Sequence, residues 1–130
     1  MRIASCSCGQ LKATCEGEPL RISICHCLAC QKRTGSVFGV QARWPSDRVT
    51  IEGQVHEYVR VGDEGSAATF RFCPACGATV YYENDAMPGM IAIPVGTLAD
   101  PTFPPPRFSV YGGRRHPWAI MPDLDVEELD

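Results

Sequence analysis

Between residues 10 and 16 apolar and polar side chains alternate without a break. Leu11, Ala13 and Cys15 fall on one face, and Gln10, Lys12, Thr14 and Glu16 on the other. A period of two marks a half-buried strand. The same reading predicts strands over residues 20–25, after the turn Gly17-Glu18-Pro19, and over 37–44, 67–72, 78–83, 90–95 and 109–111. Segments 49–52 and 54–61 flank Gly53 and predict a hairpin. Gly62-Asp63-Glu64-Gly65-Ser66 reads as a turn. Residues 26–35 are too short and too rich in cysteine for an ordinary helix, and predict a metal knuckle with one helical turn. Residues 84–89 read as a loop. Four prolines between 100 and 107 predict an extended surface segment. Residues 124–130 predict an acidic tail, as a helical turn or a frayed end. No internal repeat of the length that builds solenoids or propellers is present. The pattern as a whole predicts a mainly β fold of antiparallel sheets, short turns and little helix.

Composition narrows this to one domain. A chain of 130 residues with 45% hydrophobic content suits a single core spanning 1–130, with the acidic tail beginning near residue 123. Twelve Gly and eleven Pro agree with turns and strands. A formal net charge of −3 argues against wholesale nucleic-acid binding, which usually needs a basic surplus. No apolar run reaches the roughly 18 residues of a membrane span, and the start lacks the pattern of a secretion signal. The expected setting is the cytoplasm, where thiols stay reduced. Homo-oligomerisation is left open.

The cysteines change the picture. Seven of the eight fall into three clusters: Cys6 and Cys8; Cys25, Cys27 and Cys30; Cys73 and Cys76. Zn²⁺ takes four thiolate or imidazole ligands in a tetrahedron. Seven sulfurs fill one site and leave a second one donor short. Cys73-Pro74-Ala75-Cys76-Gly77 is the sharpest motif. Two intervening residues let both sulfurs face one ion, and the glycine tolerates the positive φ that turns backbone N–H groups toward the thiolates. Cys6-Ser7-Cys8-Gly9 is the natural other half, because residues i and i+2 of an extended chain point the same way. Cys25, Cys27 and Cys30 then form the incomplete site. His26 lies on the opposite face and is a poor ligand, whereas His56 or His116 could complete the site from elsewhere. A competing partition places Cys6 and Cys8 with Cys27 and Cys30, but strands Cys25 and the strongest knuckle. Cys15 belongs to the apolar face of its strand and reads as a small core residue. Paired disulfides would need an oxidising compartment, and Cys-x-Cys pairs do not bridge internally without strain. Sulfur ligation favours zinc, with iron as the alternative metal.

Cys6-Ser7-Cys8-Gly9, Cys25-His26-Cys27-Leu28-Ala29-Cys30 and Phe72-Cys73-Pro74-Ala75-Cys76-Gly77, in that order, resemble the motifs of the glutathione-dependent formaldehyde-activating enzyme family, which includes the centromere protein V-type domains. Gly17-Glu18-Pro19, Gly35, Val95-Gly96-Thr97-Leu98 and Pro117-Trp118 extend the likeness over nearly the whole chain. The resemblance implies an Mss4-like zinc fold with two zinc ions. One would be structural, on Cys6, Cys8, Cys73 and Cys76. The other would be exchangeable, on Cys25, Cys27 and Cys30 as the open catalytic site. It also implies a carbon–sulfur lyase chemistry in which a small thiol such as glutathione meets an aldehyde, formaldehyde. The centromere-linked relatives would suggest nucleic acid, but the net charge disfavours it, and with no long apolar run neither nucleic acid nor membrane is an expected partner. Gln31 stands where the family often has Arg, and Ala78 where Ser or Thr is usual. Gln31, Lys32 and Arg33 are the candidate substrate contacts beside Cys30. Arg114, Arg115 and His116 form a second basic spot, and Phe38 and Trp118 read as core or pocket wall. The alternative function is a zinc-stabilised binding module with both metals structural. B-type methionine sulfoxide reductases share the architecture but need a late redox cysteine, and no cysteine follows Cys76.

Overall fold

Eleven strands, one short α-helix and three single 3-10 turns appear in the computed structural model, which describes residues 1–119 and 124–129. In chain order the strands and the α-helix are β1 (Arg2–Ser5), β2 (Lys12–Cys15), β3 (Arg21–Cys25), α1 (Leu28–Thr34), β4 (Gly39–Pro45), β5 (Val49–Glu52), β6 (His56–Val61), β7 (Ala67–Phe72), β8 (Thr79–Asn84), β9 (Met90–Pro94), β10 (Phe108–Val110) and β11 (Glu127–Leu129). β1, β2 and β5 form a small antiparallel sheet. The other eight form a second sheet in the order β11-β10-β3-β4-β9-β8-β7-β6. This is the mainly β architecture that the alternation predicts.

Burial follows the pleat. Leu11, Ala13 and Cys15 are fully buried, while Lys12 between them is exposed. They meet Ala42, Trp44, Val80, Ile91 and Ile93 from the large sheet, so one core lies between the two sheets. Trp44 anchors it. Its indole N–H donates to the Gly17 carbonyl at 3.0 Å, and its ring stands 6.5 Å from that of Phe103. The opposite face of the large sheet is chemically different. On β3 and β4 it carries Arg21, Ser23, Cys25, Gly39, Gln41 and Arg43, and farther along Phe70, Tyr82 and Ala92. A period of two therefore sorts each strand into a core side and a functional side.

Three expectations are corrected, and one strand, β1, is added. Segments 49–52 and 54–61 do not form a hairpin. β5 pairs with β2, with Thr14 opposite Thr50, whereas β6 pairs with β7, with Tyr58 opposite Phe70. Val49 and Ile51 pack on the central core, so their strand serves the small sheet and the chain crosses between sheets after it. β1 carried too short an apolar signal, yet Ala4 is fully buried opposite Ala13. Residues 28–34 make a seven-residue helix where one turn was expected. Within the acidic tail, residues 127–129 are a strand that runs parallel to β10, and β10 runs parallel to β3, so the large sheet is mixed. Asp123 and Asp130, the ends of the expected tail, lie outside the described residues.

Candidate metal centres and binding trough

The first and third cysteine motifs fold alike. The Cys6 amide donates to the Leu11 carbonyl and the Gly9 amide to the Cys6 carbonyl, at 3.0 and 3.1 Å. The Cys73 amide donates to the Ala78 carbonyl and the Gly77 amide to the Cys73 carbonyl, at 3.0 and 2.8 Å. Each turn closes through a glycine at positive φ, 85° at Gly9 and 82° at Gly77. A Cβ would disfavour that conformation. The two turns face each other, and the sulfurs of Cys6, Cys8, Cys73 and Cys76 all lie within 4.8 Å of one another. Cys6 and Cys8 sulfurs stand 3.6 Å apart, and those of Cys8 and Cys73 stand 3.7 Å apart. A tetrahedron with Zn–S of about 2.3 Å has S···S edges of about 3.8 Å, so the donor set fits zinc.

Hydrogen bonds aim at these sulfurs as thiolates require. The Leu11 amide donates to Cys6 Sγ at 3.3 Å, and the Ala75 amide to Cys73 Sγ at 3.3 Å. Gln10 was not singled out by sequence. Its Nε2 donates to Cys73 Sγ at 3.0 Å and to the Gln54 carbonyl at 2.9 Å, and its Oε1 accepts from the Gln54 amide at 2.9 Å. Burial pushes the Cys73 thiol up, but the Gln10 donor and the amides of Cys76 and Ala75 outweigh it and hold the thiol down at about 6.

The middle motif makes a second cluster. Cys25 ends β3, Cys27 caps α1 and Cys30 lies one turn inside it, with the three sulfurs within 4.8 Å of one another. The Cys30 amide donates to Cys27 Sγ at 3.2 Å. That cap fixes the helix start on the cluster. Hydrogen bonds from Cys25 and Cys30 pull the Cys27 thiol far down, helped by Arg60. Cys25 moves the other way, because it donates to Cys27 and Cys30 and is buried. Among the described residues no fourth protein donor joins the three. His26 is buried beside Phe38, with ring centroids 5.9 Å apart, and stays outside the cluster. His56 packs on Phe72, and His116 Nε2 meets Gln31 Oε1 at 3.0 Å. All eight cysteines are free, and Cys15, fully buried, has its thiol pushed up to about 11 by burial.

The second cluster opens on a trough of about 660 Å³ across the functional face of the large sheet. Arg21, Arg33, Arg43, Arg60 and Arg114 line it, against Asp63 and Glu64. Among the described residues none of the five arginines is in an ion pair. Arg33 lies 5.1 Å over the rings of both Phe70 and Tyr82, close enough for the ring faces to attract its charge. Tyr111, at φ 55°, also lines the trough. Its phenol is pushed up by burial, then by Glu64 and the three cysteines.

Of the predicted contacts, Arg33 lines the trough, and Lys32 lines an adjoining apolar recess of about 600 Å³ with Tyr58 and Phe72. Gln31 is otherwise occupied. Its Nε2 donates to the carbonyls of His26 and Arg114 at 3.0 and 3.2 Å, so it ties α1 to the later chain. Arg115 pairs with Glu128 at 3.8 Å, and Trp118 is 69% exposed beside His116 rather than in a wall.

Fold and site together define a small mixed-sheet β protein with one four-sulfur and one three-sulfur cluster. The chain belongs to the family described as glutathione-dependent formaldehyde-activating enzyme, which it matches over residues 1–114. Its fold is similar to that of a Rhodobacter sphaeroides protein solved by a structural genomics programme. The two share 19% identity with a TM-score of 0.59, and the match covers 79% of this chain and 91% of that one. No curated protein matches it. Among the described residues no helix is long and apolar enough to cross a membrane.

Proposed function

We propose that this single domain is a zinc-dependent carbon–sulfur lyase-type protein that joins glutathione, or a similar thiol, to formaldehyde as the S-hydroxymethyl adduct. Cys6, Cys8, Cys73 and Cys76 would hold a structural zinc, and Cys25, Cys27 and Cys30 a second one. The single observation that carries this reading is that the three-sulfur cluster lacks a fourth protein donor among the described residues and opens on an arginine-lined trough. Zinc bound there would supply the charge that keeps a substrate thiol deprotonated at neutral pH.

The chain's own residues account for the rest. Arg60 brings positive charge to Cys27, whose thiol is already pulled down by hydrogen bonds from Cys25 and Cys30, and Arg33 partly opposes the hydrogen bond to Cys27 and the burial that raise Cys30. The trough's surplus of arginine suits the carboxylates of glutathione, and Asp63 and Glu64 suit its ammonium. Tyr111 keeps its proton and can donate a hydrogen bond where oxygen becomes negative. In the reaction a carbon–sulfur bond forms, the C=O double bond becomes single, and the thiol proton ends on the former aldehyde oxygen, with no change of oxidation state overall. Such chemistry needs reduced thiols, which fits a cytoplasmic setting.

The test is the exchange rate between free glutathione and its hydroxymethyl adduct, read by NMR at equilibrium with formaldehyde. Zinc-loaded protein should raise that rate well above the spontaneous one, and Cys30→Ser should remove the increase. A rate equal to the protein-free control would leave the binding-module reading.

A further inference from the structure

β3 and β4 are paired so that three rungs lead away from the second cluster: Cys25 opposite Gly39, Ser23 opposite Gln41, and Arg21 opposite Arg43. All six residues share the functional face. The lowest rung is anomalous. Two like charges directly across an antiparallel pair repel each other. Among the described residues neither arginine is in an ion pair with a carboxylate. Arg21 Nε is buried with no partner, and its guanidinium is held 4.4 Å over the Phe108 ring. The middle rung repeats the pattern. Gln41 is only 4% exposed, and its Nε2 donates to Ser23 Oγ at 2.7 Å. Arg43 Nη1 reaches the same hydroxyl at 3.4 Å. The Oε1 atom of the Gln41 amide has no partner. Buried polar atoms left unpaired beside two cations without ion pairs are costly unless a ligand satisfies them.

We infer that Arg21 and Arg43, with Ser23 and Gln41, form a carboxylate subsite that measures the length of the thiol substrate. This rests on the proposed reading of the Cys25, Cys27 and Cys30 cluster as the place where the thiol sits. Four residues of extended chain separate Cys25 from Arg21, about 13 Å at about 3.3 Å per residue. A thiol reaching from the cluster to the arginine rung must carry its carboxylate several bonds from its sulfur. A tripeptide-sized thiol with a terminal carboxylate and a nearby N–H covers most of that backbone gap, with the metal at one end and the arginine side chains at the other bridging the rest, and the unpaired amide oxygen of Gln41 stands on the rung between. Cysteine, whose sulfur and carboxylate sit on neighbouring carbons, cannot reach both ends. The subsite therefore selects by length as well as charge, and does so on a rigid sheet rather than on a loop.

The test uses S-methylglutathione, which keeps both carboxylates but has no ionisable thiol. Binding to the zinc-loaded full chain is followed by calorimetry, with S-methylglutathione diethyl ester and S-methylcysteine as comparison ligands, so that none of the three can ligate zinc as a thiolate. Arg21→Gln and Arg43→Gln should each weaken S-methylglutathione at least tenfold without altering zinc content, and both comparison ligands should bind poorly to the unaltered protein. Two separate variants guard against one that fails to fold. Equal affinity in the folded variants, equal binding of the diester, or no binding of S-methylglutathione at millimolar concentration would overturn the inference. Failure of the catalytic reading looks different: the exchange rate with formaldehyde stays spontaneous while S-methylglutathione binding still depends on the two arginines.

Discussion

Gln10 offers the sharpest test of how the four-sulfur cluster is built. Its amide joins three parts of the chain: the first knuckle that carries it, Cys73 on the second, and Gln54 at the crossing between sheets. Removing it in Gln10→Ala deletes one donor to a sulfur and a two-point bridge to backbone. A hydrogen bond to a charged group contributes about 1.5–3 kcal/mol, and outer partners of metal ligands typically tune affinity about 10–100-fold, or about 1.4–2.8 kcal/mol. Gln10→Ala should therefore weaken zinc at this cluster about 10–100-fold. Gln10→Glu separates donor from bridge. It keeps an acceptor for the Gln54 amide but turns the donor facing Cys73 into a negative oxygen. It should bind zinc more weakly than the alanine variant despite its closer shape. Competition with a chromophoric chelator at neutral pH measures both. If Gln10→Glu holds zinc as tightly as the unaltered protein, Cys73 is not a thiolate supported by Gln10, and the argument fails.

Other expectations follow from burial. Tyr82 is nearly inaccessible, and burial pushes its phenol from 10 up to about 12. A raised folded value gives stability that is complete below pH 10 and lost as pH rises toward 12, at up to about 1.4 kcal/mol per pH unit. Tyr82→Phe should flatten that part of the urea-denaturation profile between pH 10 and 12, and an unchanged slope would show that the phenol does not titrate with unfolding. Trp44→Ala should cost about 3–5 kcal/mol in the same assay, because it opens the centre of the core and abandons the Gly17 carbonyl. A loss under about 1 kcal/mol would place the core elsewhere. Cys15→Ala should retain all bound zinc by elemental analysis, since Cys15 belongs to the core and to neither cluster. Loss of an ion would refute that assignment.

Local chemistry was the legible part of this sequence. Alternation at Leu11, Ala13 and Cys15 located a strand and its buried face, and short cysteine spacings located the knuckles. The pairing of the two end motifs rested on their matching knuckle spacing and on the rival partition leaving Cys25 and the Cys73-Cys76 knuckle without partners. What could not be read was long-range registry. Val49 and Ile51 look the same whether their strand turns back at Gly53 or joins β2, since either arrangement buries the same side chains. β11 was hidden because Glu127 and Glu128 have poor strand propensity, and their pairing depends on the backbone of β10. The trough was hidden for a related reason. Its five arginines come from β3, α1, β4, β6 and the segment after β10. Each alone reads as a solvated charge, and only the sheet order gathers them. Gln31, next to the cluster in sequence, instead faces His26, Arg114 and His116.

The central claim is a vacancy at the second zinc, and zinc X-ray absorption with and without glutathione tests it most directly. In protein holding two zinc ions, the sulfur count at the Cys25, Cys27 and Cys30 site should rise from three to four as glutathione is added, while Cys6, Cys8, Cys73 and Cys76 keep their ion unchanged. A spectrum unaltered at millimolar glutathione, with both ions resisting a mild chelator, would contradict the account and describe a closed, purely structural pair.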